Sequence, residues 1–273
     1  MGFPDFAWAC GEEASDPLVM YEGQEVRVDE LARSGHLERL EADLADVASL
    51  GLRVWRYGMP WRLSEPAPGR YDWSLWDRAL DACARHGLEP VVDLCHFGLP
   101  DHLPGFADPR WVEAFLRYLD AFLARYPGPR WFTPVNEPNT VALTAGRLGA
   151  WNDRLRSEEE FARILSLCAL ANLEAHARIR ADRDGWSIGA EGLGCPLPGA
   201  ERDPLLRRRL AFERATFDLH YGQPPDPLAA PAFAAVPDAL LARIRELATT
   251  AHVIAGHDFY PASVVAPAGA PPP

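Results

Sequence analysis

The sequence predicts an α/β chain of the (β/α)8 TIM-barrel type, incomplete at about six βα units. Three observations carry that prediction. Short β-rich apolar runs alternate with helix-patterned segments, the order that builds a parallel sheet. The run Leu88 to Leu94 is almost continuously apolar, as strands buried on both faces are. Polar residues gather just after the strands, at the end where barrels keep their active sites. A doubly wound sheet is the structural alternative. It loses ground because no G-x-G-x-x-G follows a strand and no P-loop occurs, and for the same reason no cofactor is expected.

Taken in order, Phe6-Ala7-Trp8-Ala9-Cys10 reads as the first strand, and Glu12 and Glu13 follow in its polar loop. Leu37, Leu40, Leu44, Val47 and Leu50 recur in steps of three and four, which predicts a helix that Gly51 caps. The run Leu52 to Trp61 is the second strand and carries Arg56 inside it. A buried arginine needs an anionic partner, and Asp93, which interrupts the third strand, is the candidate. A helix opens at Asp72-Trp73-Ser74, and another is capped by Asp108-Pro109-Arg110 and runs through Tyr126. The fourth strand, Trp131 to Val135, ends abruptly in Asn136-Glu137-Pro138-Asn139. Pro138 pushes Glu137 away from helical geometry and fixes where its side chain points. Ser157-Glu158-Glu159-Glu160 has the form of a capping box ahead of a long helix. Trp186 to Glu191 is a fifth strand. After a Pro-rich crossover and a helix from Leu240 to Leu247, His252 to Gly256 is a sixth, ending in His257-Asp258-Phe259-Tyr260.

The chain has 273 residues, with 48% hydrophobic and 24% charged, ordinary for a globular fold with one sizeable core. Its net charge of -12 lacks the basic field that phosphate backbones require, which argues against nucleic acid and for a neutral ligand. All 27 cationic side chains are Arg and none is Lys, so Schiff-base chemistry is excluded. Five scattered cysteines with no C-x-x-C pair read as reduced thiols. No signal-peptide pattern opens the chain, and nowhere do 18 apolar residues run together. These features place the protein in the cytoplasm and off the membrane. His86, His102 and His220 lie far apart and give no metal-ligand spacing.

Four motifs in order carry a family likeness: Trp-Arg-Tyr-Gly-Met-Pro-Trp at 55–61, His-Phe-Gly-Leu-Pro at 96–100, Thr-Pro-Val-Asn-Glu-Pro at 133–138 and Gly-His-Asp-Phe-Tyr at 256–260. Together they resemble glycoside hydrolase family 1, the retaining β-glycosidases. The resemblance implies Glu137 as general acid/base, Asn136 holding the sugar 2-hydroxyl, and His96 binding a second hydroxyl. It also implies Arg56 and Tyr260 as partners of the nucleophile, with a small-molecule sugar or β-glycoside as substrate. A further likeness, at Ser34-Gly35-His36, Arg39-Leu40 and Phe212 to Leu219, is to the glycosidase-like domain fused to a sugar-nucleotide reductase in some bacteria.

The departures matter as much. Phe97 replaces the tryptophan of the His-Trp-Asp-Leu-Pro motif, and the strand 6 motif Gly-x-Asn-Tyr-Tyr has Asp258 in place of its asparagine. The Glu-Asn-Gly that carries the nucleophile does not occur. The expected organisation is a barrel domain over residues 1–261 lacking its last two strands, then an Ala/Pro-rich tail or linker at 262–273. Either the sequence is truncated, or a fused or separate domain completes the barrel, or the barrel is reduced. Retaining hydrolysis needs two carboxyls about 5 to 5.5 Å apart, and Glu137 supplies one. Glu191 or Asp258 standing in at about 6.5 to 9.5 Å would instead admit water for inversion. The rival from another class is a non-catalytic carbohydrate-binding or interaction domain working beside a sugar-metabolising enzyme.

Overall fold

A computed structural model describes residues 7–260 and 263–265. Six parallel strands form one sheet: β1 (Ala9–Gly11), β2 (Val54–Gly58), β3 (Glu89–Asp93), β4 (Trp131–Thr133), β5 (Trp186–Ile188) and β6 (Val253–Ile254). They pair strictly in chain order, with β1 and β6 as the outer strands. The result is an open (β/α) barrel of six units, and the strand positions agree with the pattern of the sequence.

Period-two alternation sorts the side chains into two faces. Trp55, Tyr57, Val92 and Phe132 pack outward into the main core beneath the helices. Val54, Val91 and Trp131 turn inward and form a separate apolar cluster, joined by Trp186, Ile188 and Ile254. Two residues further along β2, β3 and β4, on the same inward face, come Arg56, Asp93 and Thr133. The interior thus has an apolar floor and a polar layer above it, toward the C-terminal ends of the strands.

The outer layer is helical: α1 (His36–Ser49), α2 (Ser74–His86), α3 (Arg110–Arg125), α4 (Glu158–Asp182), α5 (Pro204–His220) and α6 (Asp238–Leu247). The expected capping box is present, since the Ser157 side chain accepts from the Glu160 amide at the start of α4. Trp61, which the sequence reading placed at the end of the second strand, instead opens a short helix, Trp61–Ser64, and is a core residue. It is buried, stacks on Tyr118 at 5.4 Å between ring centroids and donates its indole N–H to Glu65.

Two features lay outside the sequence reading. Leu18–Tyr21 and Gln24–Arg27 form an antiparallel hairpin over the mouth, and the Pro-rich crossover contains the 17-residue α5. Pro204 sits at the first turn of that helix with Asp203 as its N-cap, where proline costs no hydrogen bond. Of the tail at 262–273, only 263–265 are among the described residues, and Val264–Val265 pair in parallel with Cys195–Pro196. Among the described residues no helix is long and apolar enough to cross a membrane.

Candidate active site

The polar layer opens into a cavity of about 440 Å³ at the C-terminal ends of the strands. The hub of the polar layer is Asp93, which does not itself line the cavity and whose side chain is 1% exposed. One oxygen, Oδ2, accepts from Arg56 Nη2 at 2.7 Å and from His96 Nδ1 at 2.7 Å. Burial works against the Asp93 charge, but the Arg56 and His96 cations outweigh it and hold the carboxyl below its ordinary value. Arg56 also donates to Asn136 Oδ1 and, through Nε, to Thr133 Oγ1 at 3.3 Å. The anion that Arg56 requires is therefore supplied by β3, next to it in the sheet.

His96 is nearly buried and has two rival neighbours at Nε2. The Asn136 amide nitrogen lies 3.1 Å away and the Glu13 carboxylate 3.4 Å away. With Nδ1–H given to Asp93, Nε2 can accept from the amide only in the neutral ring and can donate to Glu13 only in the imidazolium. The two contacts belong to two protonation states. Burial opposes the imidazolium, but Asp93 and Glu13 prevail and raise the pKa of His96 to about 9. The hydrogen bond from His96 holds Glu13 down to about 2.

The sign of the resulting pH dependence follows by linkage. A histidine whose folded pKa of about 9 exceeds its ordinary 6.5 contributes stability that is full below pH 6.5 and lost as pH rises through 9. Melting temperatures between pH 6 and 9.5 should fall across that window in the intact chain. In His96→Gln the fall should be shallower.

Glu137 ends the segment after β4 in a left-handed conformation, φ +38°, which costs a non-glycine residue about 1 to 3 kcal/mol. The surroundings hold it there. Its N–H donates to Ala190 O at 2.9 Å, Asn136 N–H donates to Cys95 O at 3.0 Å, and Pro138 starts the next helical turn. The side chain, 8% exposed, accepts from Thr140 Oγ1 at 2.6 Å through Oε2. Burial, with the neighbouring Asp258 carboxyl, raises its pKa to about 7. Glu137 therefore holds a proton near neutrality, the state a general acid needs.

The other expected site residues fall around this pair. Asn136, Arg56, His96 and Tyr260 all line the cavity with Glu137, and Tyr260 stands at its rim, 54% exposed. Glu191 does not reach the cavity. It is buried behind Glu137 and accepts the Asn139 N–H at 2.9 Å, and burial drives its pKa well above the ordinary value. Asp258 does reach the cavity, which it lines together with Glu137, and its carboxyl adds to the rise in the Glu137 pKa. Sequence reasoning did not single out Thr140 or Trp151, which also line the site. Trp151 pairs with Phe97 at 5.2 Å, reached through a π-helical turn at Ala142–Arg147 that carries no periodicity signal.

The sequence profile of glycosyl hydrolase family 1 matches residues 19–190. The chain belongs to glycosyl hydrolase family 1. Family 1 relatives include the aryl-phospho-β-D-glucosidase of Bacillus subtilis, 28% identical over 125 residues, covering 42% of this chain and 26% of that protein. Rice β-glucosidase 4 is 28% identical over 160 residues, covering 54% of this chain and 32% of its own length. Among solved structures, a family 1 β-glucosidase from Thermotoga maritima superposes with a TM-score of 0.72 at 20% identity, over 81% of this chain and 53% of that one. That likeness shows the barrel fold. The alignments thus span about a quarter to a third of the two relatives and about half of the solved enzyme.

Proposed function

We propose that this chain supplies the sugar-binding and proton-donating part of a β-glycosidase site, with Glu137 as acid/base. The observation that carries the reading is the convergence of Glu137, Asn136, His96 and Arg56 on one cavity, where burial raises the Glu137 pKa to about 7. Glu137 gives its proton to the glycosidic oxygen as the bond to C1 lengthens. Asn136, its carbonyl held by Arg56, turns its amide nitrogen to the sugar 2-hydroxyl. Each carboxylate near the acid already has a neighbour: Asp258 lines the cavity beside Glu137, Glu13 has His96, Glu191 has Asn139, and Glu12 lies 3.9 Å from His36. We therefore assign the attacking carboxylate of a retaining mechanism to a fused or separate segment that completes the barrel. The five free cysteines support a reducing compartment, the cytoplasm.

One observation favours a second reading, a carbohydrate-binding domain without turnover. Arg56, which the family resemblance pairs with the nucleophile, is already satisfied by Asp93 and Asn136. Release of aglycone from aryl β-glycosides with azide as the attacking group separates the two readings. Release that is lost in Glu137→Gln supports hydrolysis, and sugar binding without release supports the binding domain. If neither binding nor release is found, both are wrong.

Relatives of both phosphorylated and unphosphorylated specificity match the chain, by their names. The cavity favours the second class. Among the described residues its cations are Arg56 and His96, both paired, and Glu12, Glu13 and Asp258 add negative charge. A phosphate there would lack a free cation and would face like charge. Calorimetric titration should give glucose 6-phosphate at least about tenfold weaker binding than glucose, a difference of about 1.4 kcal/mol. Tighter binding of the phosphate would exclude this assignment.

A further inference from the structure

The position of Asp258 is set by backbone geometry that only glycine allows. A Cβ on Gly256 would lie 1.7 Å from the Gly189 carbonyl oxygen, so the ends of β5 and β6 close on each other only because that atom is absent. The approach lets Asp258 N–H donate to Glu191 O at 3.0 Å and bridges Asp258 in parallel to Gly192. Gly192 in turn lies against Glu137, since a Cβ built on it would be 3.4 Å from Oε2. Asp258 and Glu137, distant in sequence, therefore enter the cavity side by side.

We propose that Asp258 is a positioning residue that keeps the acid proton on Glu137, so that the proton-donating part of the site is complete within this chain. The inference rests on reading Glu137 as the acid. Two carboxyls side by side in one cavity ionise against mutual repulsion, so the pair retains one proton over a range where isolated carboxyls hold none. Glu137 bears that proton because it is the more enclosed of the two. Thr140 donates to Glu137 Oε2 and fixes the orientation of the group, and Asp258 lines the same cavity beside it. The asparagine of the Gly-x-Asn-Tyr-Tyr motif has no charge with which to do this.

Every other charged or titratable neighbour has a definable direction. His96 and Arg56, across the cavity from β3 and β2, favour the Glu137 anion, and Thr140 on the following turn does the same. Glu191, behind on the β5 side, would oppose the anion if ionised, and burial raises its own pKa well above the ordinary value. Glu13 is spent on His96, and the Tyr260 phenol at the rim is neutral near pH 7. Asp258 is thus the charged group that opposes ionisation of Glu137 most directly.

The test is a carbon-13 titration of the full chain labelled at glutamate side-chain carboxyls, with the Glu137 signal assigned by its loss in Glu137→Gln. The midpoint, near 7 in the intact chain, is expected to fall by at least one pH unit in the near-isosteric Asp258→Asn and to rise in Thr140→Val. An unmoved midpoint in a folded Asp258→Asn overturns the proposal. Asp258→Ser, which removes the charge with a smaller side chain, is read the same way should the amide variant not fold. The readout is a proton and not turnover, so this result stands or falls apart from the glycosidase reading. A chain that fails to cleave glycosides can still show the shift, and an active chain can lack it.

Discussion

Asp93→Ala is expected to destabilise the fold by about 3 to 5 kcal/mol, the cost of leaving a buried charge unpaired. Asp93 Oδ2 serves Arg56 and His96 at once, each at 2.7 Å, from an environment that excludes water almost completely. Arg56 cannot respond by losing its proton, so it must reorient toward the cavity and release Asn136 and Thr133. His96 can respond, and its raised pKa should fall as its nearest anion disappears. Thermal unfolding should show a drop of roughly 10 °C for a chain of this size. The same variant should lose the alkaline fall in stability described for His96. A variant melting within a degree or two of the intact chain would mean that the layer of Arg56, Asp93 and Thr133 does not hold the barrel interior together.

The second large effect concerns Glu137→Gln. General acid catalysis contributes about 100- to 10,000-fold to a rate, and the amide cannot supply a proton. The loss should depend on the leaving group. A phenolate, conjugate base of an acid with pKa near 10 like tyrosine, departs slowly unless protonated, whereas a dinitrophenolate departs unaided. With azide supplying the attacking group, the variant should therefore fail on phenyl β-glucoside and retain its rate on the dinitrophenyl analogue. Activity on the phenyl substrate should decline as pH rises above about 7, where Glu137 gives up its proton. Stability moves by the same titration. A carboxyl whose folded pKa lies above its ordinary 4.5 binds the proton more tightly when folded, so its contribution weakens as pH rises from 4.5 to 7.

Much of this architecture was legible in the sequence because barrel strands are local signals. Apolar runs such as Leu88 to Leu94 and the amphipathic faces of α1 and α3 announce themselves by periodicity. Asp93 was legible as an interruption, since a carboxylate inside an apolar strand demands a partner and Arg56 occupies the neighbouring strand. What stayed hidden depends on contacts between segments far apart in the chain. Asp258 approaches Glu137 through the missing Cβ of Gly256, and Glu191 turns behind the cavity to hold Asn139, neither of which any spacing encodes. Helix α5 was obscured by its arginines and prolines, although Ala211, Phe212, Ala215 and Leu219 do trace a buried face. Trp151 reaches the site by a π-helical turn, for which sequence offers no rule.

The central claim is that Glu137 is a working acid in a sugar-binding cavity and that the attacking group is supplied from outside the residues described. It is tested most directly by supplying that group from solution. In azide, phenyl β-glucoside should release phenol: azide forms a bond to C1, the C–O bond breaks, and the Glu137 proton goes to the departing oxygen. The account predicts azide-dependent release that falls at least about 100-fold in Glu137→Gln while dinitrophenyl β-glucoside is still cleaved. Equal release of phenol by both chains, or none from either substrate in azide, would contradict it.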